Sequence, residues 1–340
     1  MTLTRTFPTD RAAGLPLADT RLLVAAMVES DTTGKPRAGV LPSHYNPLVT
    51  GTTGMAYQVA TFAAVTVRAG MGAELVANDG AVSVATTAAP GANSRIDVIW
   101  VRSLFTTTGD SGTDPVFGVT QGTAAASPSK PSIPAGALEL ATAVVLSTTT
   151  QTSTAVITQT YPYTAAEGGV VCVRNSTELT EWTPADGAHA YRIDNKGLYE
   201  RVSGAWLPIL IPKAAFTPAW TNFTVGASPV TAWSQVQGSM CEGVIQVTLA
   251  SGWAMNTSDI TFSLPVSPVA VVEGLQIGWA AYRDAGTGDY RGAVLMDSSG
   301  KGRLVWEPGG QAYFGGVKGS EPFGWATGDG IRIYLRYETA

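Results

Sequence analysis

Charge, thiols and histidine are all scarce in this chain. Only 14% of its 340 residues are Asp, Glu, Lys or Arg, and the formal net charge is −5 with no basic run anywhere. A nucleic-acid partner needs a lysine and arginine footprint to displace counterions from phosphates, so none is expected. Sparse charge also argues against a helical protein, whose exposed faces are usually built from Glu, Lys and Arg. The two cysteines, Cys172 and Cys241, lie far apart without metal-ligand spacing. They fit buried thiols in a reducing compartment better than a disulfide or zinc framework. The apolar run "LLVAAMV" is far below the ~20 residues that cross a bilayer, and "MTLTRTFPTDRAAG" has no apolar stretch of a secretory signal. Membrane insertion is therefore not expected, and synthesis in a cytoplasm is.

Gly, Thr, Ser, Ala and Val dominate instead, the profile of many short strands joined by tight turns. One helix is expected over 15–30, "LPLADTRLLVAAMVES", with Asp19 or Thr20 as its N-cap. Beyond it the chain alternates with period two. "ELVANDGAVSVAT" predicts a hairpin turning at Asn78-Asp79-Gly80. Ile96 to Val101 is apolar on both faces and predicts a central strand, with Leu140 to Leu146 as its partner. Between them Pro128, Pro131 and Pro134 stiffen an arm over 122–137, expected to stay extended outside its own sheet and reach an adjacent subunit. In the last segment Ile245, Val247 and Leu249 share a face, as do Ile331, Ile333, Leu335 and Tyr337. The same phase puts Trp279 in the core with Leu275 and Ile277. The fold class is thus all-β. An N-terminal β-rich domain with one short helix is expected over 1–163, a small β-meander over 164–212, and a C-terminal jelly-roll-like β-sandwich over 213–340.

Reactive groups are hard to find. "GDSGT" (109–113) has the string around a trypsin-like serine nucleophile, and His44, Asp97 and Ser111 follow that family's order. The surroundings do not match, and a polar loop of turn-formers explains the string better. His189 has Asp186 nearby but no nucleophile. No glycine-rich phosphate loop occurs, and Asp284, Asp289 and Asp297 lack the calcium-loop pattern with its twelfth-position glutamate. No catalytic residue, metal site or cofactor is expected. The aromatics of the last segment are more suggestive: Trp253, Trp279, Tyr282, Tyr290, Trp306, Tyr313, Phe314, Phe323 and Trp325. Sugars stack apolar CH faces on flat rings while carboxylates take their hydroxyls. Tyr282, Asp284, Asp289, Tyr290 and Trp306 are therefore the candidate glycan contacts, against the alternative that most of these rings fill the sandwich. A polysaccharide hydrolase would instead need a carboxylate pair from among Glu242, Asp259, Glu273, Asp284, Asp289, Asp297, Glu307, Glu321, Asp329 and Glu338, none of which sits in a recognisable pair motif.

Three stretches carry a resemblance. "LVTGTTGMAYQVATFAAVTVRAG", "SRIDVIWVR" and "GTAAASPSKPSIPAGALELATAVV" contain Gly54-Met55, Arg95-Ile96-Asp97 and Pro134-Ala135-Gly136-Ala137-Leu138 followed by Leu140-Ala141. In this order they resemble the N-terminal region of minor tail and baseplate proteins of long-tailed phages, especially those infecting actinobacteria. "GLYERVSGAWLP", "FSLPVSP" and "FGWATGDGIRIYLRYE" are similar to the meander and the β-sandwich heads of the same proteins. The resemblance implies a non-enzymatic structural protein of the virion tail, a homotrimer. Its first domain would dock to other tail-tip proteins, and its head would adhere to a host surface glycan. A tail-associated hydrolase and a baseplate component without host contact remain the alternatives.

Overall fold

A computed structural model describes residues 17–42, 47–112, 114–309 and 314–339, and among them the chain is almost entirely β. It divides into two compact units: residues 1–193 with 201–205, and residues 194–200 with 206–340. Residues of the expected 164–212 meander are shared out between the two units. About fifty residues bury too little surface to stand alone.

The first described element of the first unit is α1 (Leu17–Ala26), which ends four residues before the expected 30, with Asp19 in its first turn, where a carboxylate complements the helix dipole. Ten strands follow: β1 (Gly39–Val40), β2 (Val49–Gly51), β3 (Ala56–Val59), β4 (Phe62–Val67), β5 (Ala73–Asn78), β6 (Val82–Ala85), β7 (Ser94–Arg102), β8 (Val116–Gln121), β9 (Ala137–Leu146) and β10 (Val156–Gln159). They form sheets ordered β1-β4-β5, β2-β3-β6 and β10-β9-β7-β8. Tyr57, Val59, Phe62, Ile99, Val101 and Leu140 meet in one core drawn from all three.

The expected β5–β6 hairpin is not formed. β5 pairs with β4 and β6 pairs with β3, so Asn78-Asp79-Gly80 is a corner where a bent ribbon passes from one sheet to the next. The true reversal lies at 68–72, where Gly70 and Gly72 have φ of +74° and +79°. Asn78 makes the corner viable by satisfying backbone groups of the opposite strand. Its Oδ1 accepts from the Phe62 N–H (2.8 Å), and its Nδ2 donates to the Ala60 carbonyl (3.1 Å). None of the three residues adopts the left-handed backbone that a hairpin reversal there would use.

β7 is central and pairs with β9 as expected. The proline arm, however, does not stand off its own sheet. Gly122 N–H donates to the Ile96 carbonyl (2.7 Å), Ala125 bridges Ser94, and Lys130 pairs with Glu139 on β9 (3.0 Å). Topology gives the reason. β8 and β9 both run antiparallel to β7 on opposite sides of it, so they are parallel to each other. A parallel connection is a crossover and needs about a dozen residues or more. From Gln121, opposite Asp97, to Ala137, opposite Arg102, the chain must travel five residues lengthwise and two strands sideways, about 20 Å. The arm's length serves that crossing.

The unit ends with β11 (Val170–Val173) and β12 (His189–Arg192), paired in parallel around α2 (Ser176–Glu181), which Asn175 caps through Glu178 N–H (3.0 Å).

Beyond β13 (Gly197–Val202), the second unit is built from β14 (Ala205–Ala215), β15 (Trp220–Thr221), β16 (Phe223–Thr224), β17 (Val230–Gln237), β18 (Met240–Thr248), β19 (Ala254–Met255), β20 (Thr261–Phe262), β21 (Gln276–Asp284), β22 (Gly288–Met296), β23 (Gly302–Trp306), β24 (Gly315–Gly316) and β25 (Gly330–Glu338). Antiparallel neighbours run β14-β17-β18-β25-β21-β22-β23-β20-β15. Ile245 from β18, Ile277 from β21, Leu304 from β23 and Phe262 from β20 share one core, so this long sheet curls upon itself. Period two holds along β18 and β25: Cys241, Ile245 and Val247 point in, as do Ile331, Ile333, Leu335 and Tyr337.

Candidate functional site

Of the protease-like constellation, the carboxylate Asp97 is engaged by other residues. Asp97 is fully buried and accepts four hydrogen bonds: from Arg95 Nε (2.7 Å) and Nη2 (3.4 Å), from the Tyr57 hydroxyl (3.0 Å) and from the Thr86 hydroxyl (2.6 Å). Arg95 in turn donates to the carbonyls of Ala88 and Thr87. The Arg-Ile-Asp motif is therefore a buried strut, with both charges on one face of β7 because they stand two residues apart. Asp110, beside Ser111, is held by Arg68 and Arg102, and the hydrogen bond from Arg68 with that from the Phe105 N–H brings its carboxyl down to about 2. His44 and Thr113 lie outside the described residues. His189 begins β12, and Asp186 accepts from the Gly204 N–H (2.9 Å).

Several other titratable groups are similarly committed. A cleft of about 420 Å³ in the first unit is lined by Arg37, Arg174, Glu178 and Glu181, but Glu178 takes both arginines (3.7 and 3.4 Å). Burial pushes the Cys172 and Cys241 thiols up, away from nucleophilic thiolate character. Among the described residues no group of three or more His, Cys, Asp or Glu side chains gathers to hold a metal ion. In the second unit Asp259 faces Arg303 (3.6 Å), Glu321 faces Lys318 (3.4 Å), and Glu242 faces Arg336 (3.7 Å). Asp297 closes its own turn through Ser299 and Lys301, and buried Asp329 accepts from the N–H groups of Ala285 and Ala326.

The five candidate glycan contacts do not form one site. Tyr282 has no exposed surface: its hydroxyl donates to the Val305 carbonyl (2.9 Å), and burial raises its phenol. Tyr290 is directly across from it and packs on Phe323, with centroids 5.0 Å apart. Trp306 is half-buried against the same core. Asp289 is exposed and paired in register with Arg283, which lies on the opposite face from Tyr282; Asp284 is in register with Gly288. Tyr313 is outside the described residues.

Trp279 is the reverse case. Expected in the core, it is 54% exposed. Register shifts between Gln276 and Gly278, a β-bulge that inserts one extra residue into β21. Ile277 before it points in, and so do Ala280 and Tyr282 after it, which turns Trp279 outward. At Gly278 the backbones approach closely: a Cβ there would stand 2.2 Å from the Tyr334 carbonyl oxygen.

The bulge completes an aromatic row across the outer face. Trp233 on β17 pairs in register with Val244 on β18, Val244 with Tyr334 on β25, and Tyr334 with Trp279 on β21. Trp279 and Tyr334 are stacked, with centroids 5.7 Å apart and planes 22° from parallel. The Lys213 ammonium lies 4.1 Å from the Trp233 ring centroid. One position toward Arg336, Glu242 accepts from Gln235 (3.4 Å) as well as facing the guanidinium. One position the other way stand Gln246, Arg332, Ala281 and Arg291. Flat rings beside amides and charges are what a sugar requires, and this face is where the chain has them. No protein-family model and no curated protein matches this chain.

Proposed function

We propose that the chain is a non-enzymatic structural protein of a phage tail that adheres to a glycan on the host surface through the outer face of its second unit. The N-terminal unit docks to other tail-tip proteins, and the protein acts as a homotrimer in the virion tail. The N-terminal motifs support the first half of this reading through their resemblance to tail and baseplate proteins. The second half rests on a single observation, the exposed Trp279 ring stacked on Tyr334 in a row of four side chains across the sheet. Weak contacts at one such face multiply when several copies engage together. The test is retention of the full chain on purified host envelopes. Wild type is expected to bind, and Trp279→Ala, at a position that contributes little to the core, is expected to lose most of that binding. Equal retention of both would refute the adhesion reading.

A further inference from the structure

Resting on that reading, we propose that the glycan taken by this face is anionic, and that its acidic substituent seats on Arg332. Tyr334 is flanked along β25 by two arginines in different states. Arg336 is neutralised by Glu242 across β18. Arg332 stands between Gln246 on β18 and Ala281 on β21, so neither adjacent strand offers it a carboxylate. It is exposed, and among the described residues it enters no ion pair or side-chain hydrogen bond.

Beyond Ala281 the row continues to Arg291 on β22, exposed as well, with Glu307 on its far side. Two arginines thus flank a methyl group, their backbones about 10 Å apart across two strand spacings. Ala281 between them is partly exposed and offers only a methyl group. Two residues along β25, about 7 Å, separate Arg332 from the Tyr334 and Trp279 rings. A sugar ring on Trp279 would carry its substituent toward that guanidinium. The planar fork of five donors matches a carboxylate or a phosphate two bonds at a time.

The overall charge of −5 opposes approach of a polyanion. That repulsion is screened beyond about 8 Å at physiological salt, so the contact at Arg332 decides.

The experiment uses the full chain in affinity electrophoresis against three polymers: polygalacturonate, a glycerol-phosphate polymer and neutral dextran. Wild type is expected to be retarded at least tenfold more strongly by one acidic polymer or both than by dextran, less so as salt rises. Which acidic polymer retards it identifies carboxylate or phosphate as the source. Arg332→Gln is expected to reduce the acidic retardation to the dextran level, and Trp279→Ala to reduce all of it. Acidic retardation unchanged in Arg332→Gln, or no stronger than dextran, overturns the proposal. Trp279-dependent dextran retardation would then leave the adhesion reading standing. Dissociation of an oligomer by Trp279→Ala, seen in light scattering, would assign the face to a second copy and overturn both.

Discussion

Replacing Asp97 by alanine should destabilise the first unit severely. The substitution leaves Arg95 buried with its charge uncompensated, and strips the Tyr57 and Thr86 hydroxyls of their common acceptor. Breaking a buried ion pair from one side costs about 3–5 kcal/mol. At about 1.4 kcal/mol per decade, that is a rise of roughly two to three and a half orders of magnitude in the open population. Hydrogen exchange of the full chain, read by mass spectrometry, resolves it. Peptides from β3 and β7 should exchange some hundred- to thousandfold faster, while those from β18 keep their protection. Removing Arg95 as well should cost less than the two single losses added together, since the stranded charge goes with it. Less than tenfold acceleration in Asp97→Ala would refute the idea that this pair braces the unit.

Acid should act through Asp110. Its folded carboxyl titrates near 2 against 3.8 for the free group, so its stabilisation is complete above about pH 4 and is lost as pH falls toward 2. Asp110→Asn should flatten the acid limb of stability against pH, and an unchanged limb would count against the assignment. Tyr282→Phe leaves the buried Val305 carbonyl without the donor it now has, at a cost of about 1–3 kcal/mol in urea unfolding. Gly278→Val places a Cβ against the Tyr334 carbonyl and should destabilise the second unit; folding with unchanged stability would mean the bulge is not needed there. Deleting residues 127–134 should lower the stability of the first unit, because the arm is tied to its own sheet through Lys130 and Glu139; unchanged urea unfolding would count against that role.

What could be read from the sequence follows the range of the forces involved. Alternation along β18 and β25 depends only on neighbours in the chain, and the inward faces of Ile245 and Ile331 were legible from it. The central place of β7 was legible too, from a run without polar relief. Asn78-Asp79-Gly80 has the local chemistry of a reversal, but its use as a corner depends on Phe62 and Ala60 arriving opposite. The arm was recognised as stiff and long. The crossover that demands its length appears only when β8 and β9 are both placed beside β7. The ion pair had a signal that went unused: Arg95 and Asp97, two apart in a strand, share a face. The outward place of Trp279 is not legible from period two, since a bulge at Ile277-Gly278 moves every later side chain of β21 to the other face.

That inserted residue makes the outward face of the sheet a matter of parity. Pairing of β21 at unchanged length without the bulge would carry Trp279 inward in phase with Ile277 and present Ala280 and Tyr282 to solvent, with no change in composition. Deleting Gly278 itself would instead restore plain alternation and leave the indole outward. A slip of register alone could thus erase this aromatic surface, and related chains with near-identical residues could differ wholly in the face they present.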